Sequence, residues 1–422
     1  MALVNPGVSF DETLLTSVPV DDAVTTPLFI GYSMTTADSV TIMQPVSVTS
    51  LAQAVSLFGS SGTLAFGLRH FFDNGGRYCY VCSLGQSTAD SDLTRLQALI
   101  AALQSTDLLE VVAANRLSGL LLVPEMSDFN DLSDVTDFIM ADLWYQGWQA
   151  LLQLCPQGQQ RFALLELPEA PEQAITLTKR FFSTDLSQNA AAWWPRLQSS
   201  YWVQTSITED DGNGDEIVIV KSSFLVLSPL PAVAAVIQNN AAENGVWKAP
   251  ANIALKNTLK PVQNILLSPS LLNQQGVYGN LIRSFAGRGV RLWGCRTLLN
   301  DESSPWRYIQ TRLLANSVEA QLSRLARHYL FEPNNAQTWM KLKGQVWTWL
   351  RQQWLAGAFY GTTEEEAFTL SIGLDDTMSA DDIRAGKMIL LVQLALLAPA
   401  EFIAIQLTLD ARTHTATVEN GS

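Results

Sequence analysis

Histidine and cysteine are scarce in this 422-residue chain, at three and four copies. That scarcity removes the commonest catalytic and metal-binding chemistries. His70, His328 and His414 fall on two expected helices and a polar tail, none beside a GxSxG elbow or a cysteine nucleophile. Cys79 and Cys82 form a CxxC, but in the alternating run Tyr78-Cys79-Tyr80-Val81-Cys82 residues three apart point to opposite faces of a strand. They read as buried structural thiols, not as a metal or redox pair. Four cysteines are also too few for a disulfide scaffold of this size.

Basic residues are short as well. Lys and Arg number 26 against 40 Asp and Glu, and a net charge of −14 argues against nucleic acid, which demands a basic face. Long apolar runs are missing too. Met388 to Pro399 is interrupted by Gln393 and is about half the roughly 20 residues that a membrane span needs. Met1 to Gly31 lacks a basic stretch followed by an apolar one, so no signal peptide is expected. Phosphate-loop patterns fail. Gly287-Arg288-Gly289 precedes a strand where a cradle would follow one, and Asp381 stands where the first glycine of a pattern ending at Gly386-Lys387 belongs. The acidic stretch 209–216 resembles a calcium loop through Asp211, Asn213 and Asp215, but Glu216 replaces the required glycine and a hairpin turn fits better. No catalytic, cofactor-binding or metal-ligating residue is expected.

What is present is core. A 47% hydrophobic content with 12 tryptophans and only 16% charged residues describes a folded chain that hides surface in an assembly. Its length suggests two or three domains. Val4 to Glu12 has the pattern of an extended arm, with Val8 and Phe10 on one face. From Thr25 the chain alternates. Strands are expected at Leu28–Tyr32, Arg77–Ser83, Gly119–Val123 and Arg161–Leu167, and helices near Ser50–Phe58, Leu64–Asn74, Leu93–Leu103 and Leu132–Cys155. The sum is a three-layer α/β domain. Two alternating strands lie between Ser199 and Leu227, and Pro229 to Ala251, rich in Ala, Pro and Asn, reads as a connector.

The stretch Gly276–Leu409 is a compact α+β unit opened by the glycine-spaced strand Gly287–Gly294. One helix spans Trp306 to Tyr329, with Leu314, Val318, Leu322, Leu325 and Tyr329 on a buried face and Arg312, Asn316, Glu319, Ser323 and Arg327 opposite. A second starts near Ala336 behind an asparagine cap, carries Trp339, Leu342, Val346, Leu350 and Trp354 as a stripe, and ends at Gly357. Glu364-Glu365-Glu366 starts a helical turn, where carboxylates oppose the helix dipole. Phe368, Leu370 and Ile372 alternate as a strand. Ser379 with Asp382 makes a capping box for a third helix, Asp381–Leu397, closed by Pro399. A last strand, Glu401–Asp410, sets Ile403, Ile405, Leu407 and Leu409 on one face.

These residues resemble the contractile tail sheath proteins of phages and phage-tail-like injection systems. The shared stretches, in order, are Gly245–Asn252, Gly289–Leu298, Trp306–Ile309, Phe331–Asn334, Gly361–Phe368, Asp382–Lys387 and Pro399–Phe402. Shorter echoes lie at Pro6-Gly7-Val8, Thr26–Tyr32 and Phe71–Val81. The resemblance covers the last third strongly and the rest in patches. It implies a fold of α+β and α/β parts: an extended arm at 1–24, an outer α/β domain at 25–250, an inner sheath domain at 251–401, and a C-terminal strand and tail at 402–422. It implies a structural subunit that polymerises around an inner tube and contracts to drive it into a target, with no cofactor. Its partners would be copies of itself, sheath paralogues, the inner tube protein, and baseplate and terminal cap components. It would be assembled in the bacterial cytoplasm and then form part of a released particle or virion. Both termini are exchanged between subunits in that family, which makes Val4, Val8 and Phe10, with Ile403, Ile405, Leu407 and Leu409, the expected subunit-linking positions.

The charges are unevenly placed. Residues 1–275 hold 26 acidic and 12 basic side chains, and 276–409 hold 12 and 13. Two domains with merely different surfaces would give this, as would an inner domain facing the tube, where charge complementarity sets register. Arg384 and Lys387, on the first turns of the expected third helix, are the tube-facing candidates, and a core helix with a solvated charged end is the alternative. Ser228-Pro229-Leu230-Pro231 departs from the usual sheath pattern and leaves a minor baseplate-proximal paralogue open. A monomeric α/β hydrolase or binding protein is the reading from another class.

Overall fold

A computed structural model describes residues 20–132, 136–156, 159–181, 186–210, 216–263, 279–301, 303–396, 402–410 and 415–420. A 3-10 turn, Val20–Thr25, leads into β1 (Pro27–Gly31), β2 (Pro45–Val48), α1 (Leu51–Phe58), α2 (Thr63–Asp73), β3 (Cys79–Ser83), α3 (Asp92–Leu103) and α4 (Thr106–Ala114). Then come β4 (Leu120–Leu122), a second 3-10 turn (Pro124–Asp131), α5 (Asp137–Gln153), β5 (Phe162–Glu166), α6 (Pro171–Phe181) and β6 (Ala190–Trp194). The long hairpin β7 (Leu197–Asp210) and β8 (Glu216–Leu227) is followed by α7 (Leu230–Asn244), β9 (Thr258–Pro261), β10 (Gly279–Phe285) and β11 (Gly289–Trp293).

Eight of these strands make one sheet in the order β11-β10-β6-β5-β4-β1-β3-β2. Its interior is parallel, and only the edge pairs β2/β3 and β10/β11 are antiparallel. Every residue of β1, β3, β5 and β6 is buried, which is why these strands read as continuous apolar runs and not as alternation. Helices cover both faces. Leu96, Leu99, Trp144, Trp148 and Leu177 build one core, and Phe58, Leu68, Phe71, Val233 and Val236 the other. The two cysteines of β3 divide between them, Cys79 in the second core and Cys82 in the first. Burial pushes the Cys82 thiol up to about 12 and the Cys79 thiol higher still.

Three expectations change. The helix expected over Leu132–Cys155 is shorter: a 3-10 turn occupies Pro124–Asp131 and α5 begins only at Asp137. The Ala- and Pro-rich connector is a helix, α7, in which nine consecutive residues from Leu230 to Gln238 are buried. Its small side chains suit a helix pressed between α2 and the sheet, and Gln238 fixes it there by accepting from the Arg77 N–H and donating to the Tyr78 carbonyl. The glycine-spaced strand expected to open the terminal unit is β11, hydrogen-bonded to β10 at the edge of the large sheet, because Ile282, Val290 and Leu292 are buried in that sheet's core.

The remaining elements are a 3-10 turn at Pro305–Arg307, α8 (Ile309–Arg327), α9 (Ala336–Leu355), α10 (Glu364–Ala367), β12 (Phe368–Ser371), α11 (Ala380–Arg384), β13 (Lys387–Ala395), β14 (Phe402–Asp410) and β15 (Thr415–Asn420). The Asn335 side chain caps α9 by accepting from the Gln337 and Thr338 N–H groups, and Gly357 beyond it has φ +90°. Leu314, Val318 and Leu322 of α8 with Leu342, Val346 and Leu350 of α9 pack on Met388, Leu390, Val392 and Leu394 of β13. Helix α8 also supplies Ile309 and Leu313 to the core of the large sheet. It therefore belongs to both cores.

Glu166, at the carboxyl end of β5, is fully buried, and burial pushes its carboxyl up to about 8, only partly offset by the Ser228 and Ser127 hydroxyls. Glu125 is raised well above the usual range for the same reason, with the Asp128 charge adding to it. A carboxyl raised in the folded state contributes stability below its unfolded value near 4.5 and loses it as pH climbs through the folded value. Unfolding free energy should thus fall between about pH 4.5 and pH 8. Glu166→Gln should flatten that slope, gaining a few kcal/mol over the parent at pH 8 and little at pH 5, as read by urea denaturation at the two pH values.

Candidate subunit-linking surface

Strands β12-β13-β14-β15 form a four-stranded antiparallel sheet that stands apart from the eight-stranded one. In β13 Met388, Leu390, Val392 and Leu394 are buried, while Lys387, Ile389, Leu391 and Gln393 between them are more open. Period two decides the element. The expected helix Asp381–Leu397 is a single turn, α11, with the capping box at Ser379 and Asp382 in place, followed by a strand. Gly386, at φ +78°, takes the chain out of the turn.

The expected last strand exists. β13 and β14 pair over nine residues, setting Ile403, Ile405, Leu407 and Leu409 opposite Leu394, Val392, Leu390 and Met388. β15 pairs with β14 on its other side, from Ile405↔Asn420 to Asp410↔Thr415. Both pair within their own chain here. Val4, Val8 and Phe10 lie outside the described residues.

Arg384 and Lys387 are solvent-facing; Arg384 is on the expected helical turn, and Lys387 is on a strand instead. Arg384 ends α11, 76% exposed, and its guanidinium pairs with Asp381. Lys387 opens β13 with its ammonium 3.9 Å from Asp382. Helix α9 carries Lys341, Lys343 and Arg351 and no carboxylate along its length. Met340 and Leu355 on it are 68% and 67% exposed, and the Arg351 guanidinium lies 5.4 Å from the Trp347 ring centroid and pairs with Glu364. The alternation of buried Leu342, Val346 and Leu350 was legible. The opposite stripe was not singled out, although Met340, Trp347 and Leu355 sit at 0, 7 and 15.

Helix α8 holds the largest departure. Arg312, Asn316 and Glu319, which helical spacing assigns to a solvent face, are buried at 2%, 1% and 0% exposure. Arg312 Nε donates to Asn316 Oδ1 at 2.9 Å, Nη2 reaches Glu319 Oε1 at 3.4 Å, and the guanidinium lies 4.7 Å from the Trp306 ring centroid. Burial lowers the Arg312 pKa, and the Glu319 charge opposes that shift. Three elements distant in sequence, the turn Val20–Thr25, β14 and β15, contact α8. Both ends of the described chain thus meet one helix.

A catalytic reading gains little. His70 is buried, with Nε2 3.1 Å from Thr258 Oγ1, and burial pulls its pKa down to about 4. His328 follows α8, and His414 is outside the described residues. Among the described residues no group of three His, Cys, Asp or Glu side chains could hold a metal ion. No described helix is long and apolar enough to cross a membrane alone.

Residues 301–410 match the model of the phage tail sheath C-terminal domain. A chain in the anti-feeding prophage baseplate in its contracted state is 62% identical, with 97% of this chain and 100% of that one covered and a TM-score of 0.78. A chain of the PVC sheath complex of an extracellular contractile injection system, also contracted, is 25% identical over 95% and 96% of the two chains, with a TM-score of 0.65. The sheath tail protein Lin1278 of Listeria innocua, at 8% identity and a TM-score of 0.59 over 93% and 98%, shares the fold. No protein of curated function matches in sequence.

The buried Arg312–Glu319 pair gives a measurable expectation. Removing one partner strands the other charge, so Arg312→Met alone should cost about 3–5 kcal/mol in denaturant unfolding. Adding Glu319→Leu should recover much of that loss. A single-substitution cost below about 1 kcal/mol would be the behaviour of an exposed pair.

Proposed function

The chain belongs to the contractile tail sheath family and is a sheath-like structural subunit, and from that premise we propose that it is the specialised sheath subunit seated next to the baseplate. The observation that carries this reading is a gap in identity. The chain is 62% identical to one component of the anti-feeding prophage baseplate but 25–26% identical to the second baseplate chain and to the helical sheath chains of two systems, at nearly equal coverage. A subunit of the repeating cylinder, the second reading, is supported by the common fold and by those same helical sheath matches. The relatives are structural components, which supports a role without catalysis.

The link between subunits is the terminal strand. β14 pairs over nine residues with β13, and six residues, 396–401, separate the two. Extended, six residues reach roughly 20 Å. The same register can be satisfied on the sheet of an adjacent copy, because backbone pairing does not record which chain supplies the strand. Exchange of β14, with Val4–Glu12 as the arm from the other end, joins neighbours covalently to their own cores while they pair with another's sheet. Ile403, Ile405, Leu407 and Leu409 are the linking positions on this side, and Val4, Val8 and Phe10 on the other.

Contraction then needs no nucleotide. The cores move as rigid units from an extended, metastable arrangement to one with more buried contact, a two-state repacking of interfaces, while the strands hold the chain of subunits together. Arg384 and Lys387, with the basic residues of α9, form the surface offered to the inner tube, where opposite charge fixes register. The other partners of this reading are sheath paralogues, the baseplate and a terminal cap. Assembly takes place in the bacterial cytoplasm before release of a phage-tail-like particle or virion.

Particles produced from the full gene cluster test this directly. Deletion of residues 402–422 should remove the sheath layer at the baseplate in negative-stain images. Intact particles with that layer unchanged would contradict strand linkage. Label on this subunit along the whole cylinder would favour the repeating-subunit reading.

A further inference from the structure

The eight-stranded sheet is left open at one end. Leu281 of β10 lies in the core that α3, α4, α5 and α6 make with the sheet, so Arg283 and Phe285, two and four residues on, point to that same face. The register sets Arg291 opposite Arg283 and Trp293 opposite Leu281. The main neighbours of β10 and β11 are β6, β9 and each other, and no described helix is among them. Trp293 is 40% exposed, with the Phe285 ring centroid 4.7 Å from its own. Like charges directly opposite each other across a ladder repel, and these two arginines have only neutral partners. Arg291 Nη1 donates to the Asn252 carbonyl at 2.6 Å and its Nε to the Arg288 carbonyl, while Arg283 lies 5.5 Å from the Phe285 ring centroid. Residues 244–300 hold seven basic side chains and no acidic one, in a chain of net charge −14. Arginines next to exposed aromatics are the composition of an interface centre.

A matching surface lies on α4. Leu108 and Val112 anchor that helix in the core, which leaves Asp107, Glu110 and Ala114, at 0, 3 and 7, on its exposed side. The helix contains no basic residue, and Arg116 comes only after its end. Among the described residues no carboxylate forms an ion pair with Arg283 or Arg291, and no basic side chain pairs with Asp107 or Glu110. Spacing agrees as well as charge. Cβ atoms of cross-strand partners lie about 4.5–5.5 Å apart, and those of helix residues three apart about 5–6 Å, so each carboxylate can meet its own guanidinium. Within one copy the two surfaces stay apart: α4 leads into β4, and β5 and β6 separate β4 from β10.

We propose that α4 of one copy, through Asp107 and Glu110, docks on the open β10–β11 face of a second copy at Arg283 and Arg291, a contact additional to the exchanged strands. The helix and the sheet face are different surfaces, so each copy offers one of each and the contact can propagate from copy to copy around a ring or along a helix. The proposal rests on the sheath reading for its setting but not for its test.

Charge reversal supplies that test through sedimentation of the full chain. Asp107→Lys/Glu110→Lys sets a basic helix against a basic face, and Arg283→Glu/Arg291→Glu sets an acidic helix against an acidic face. Each variant alone should self-associate at least tenfold more weakly than the parent. An equimolar mixture should associate again, because the basic helix of the first variant fits the acidic face of the second and the acidic helix of the second fits the basic face of the first. Recovery also shows that both variants are folded. The nearly isosteric Asp107→Asn/Glu110→Gln should weaken association in the same direction by a smaller factor, and added salt should weaken that of the parent. Unchanged association of either reversal overturns the contact, as does a failure to recover on mixing two variants that circular dichroism shows to be folded. If a reversal does not fold, unchanged association of the isosteric variant overturns it instead. A parent that sediments as a monomer at every salt concentration overturns it as well, while sheath placement is judged separately from the particle images.

Discussion

One helix, buried along most of its length, constrains this molecule. Ile309 and Leu313 of α8 lie in the core of the eight-stranded sheet, and Leu314, Val318 and Leu322 lie in the core of the terminal sheet. Its third face, Arg312, Asn316 and Glu319, is charged or polar and still buried. An amphipathic surface helix would leave that face to water. Here it is enclosed, and a buried guanidinium tolerates enclosure only with its carboxylate beside it. The two cores cannot separate without exposing the apolar faces of α8. The turn Val20–Thr25 and the strands β14 and β15 contact the same helix.

Local chemistry was the legible part of the sequence. The Asn335 cap, the Ser379–Asp382 capping box, Gly357 and the all-buried parallel strands are each decided by a few neighbouring residues or by continuous apolar runs, and each stands where it was expected. The opposite faces of Cys79 and Cys82 followed from strand alternation alone. Most of what escaped was decided at long range. In Met388–Ala395 the apolar positions Met388, Leu391, Val392 and Ala395 satisfy a helical spacing, while Met388, Leu390, Val392 and Leu394 satisfy a strand. The strand wins because β12 and β14 are there to pair with it. The run Leu230–Gln238 looks like a connector, since Ala and Pro give it no amphipathic stripe, and a helix buried on every side has none to give. Arg312, Asn316 and Glu319 read as solvated because nothing near them in sequence announces the cover.

The candidate linking surface divides along the same line. Ile403, Ile405, Leu407 and Leu409 were legible as one strand face, and their register against β13 pairs them with its buried positions. Arg384 and Lys387 were legible as charges, but not as residues divided between a helical turn and a strand, each beside a carboxylate.

Enclosure of α8 by the chain ends has a mechanical consequence for a subunit that exchanges those ends. If β14 on a given sheet is supplied by a neighbour, the element that contacts α8 belongs to that neighbour, while the Arg312–Asn316–Glu319 face remains the subunit's own. Under that exchange α8 is contacted by a neighbour's strand, and in an isolated copy by its own β14, paired with its own β13. That closed form uses the same nine-residue register as an exchanged one, so the two differ chiefly in the path of residues 396–401 and in the effective concentration of the strand. Under the proposed exchange, a subunit built this way joins by trading one pairing for an equivalent one.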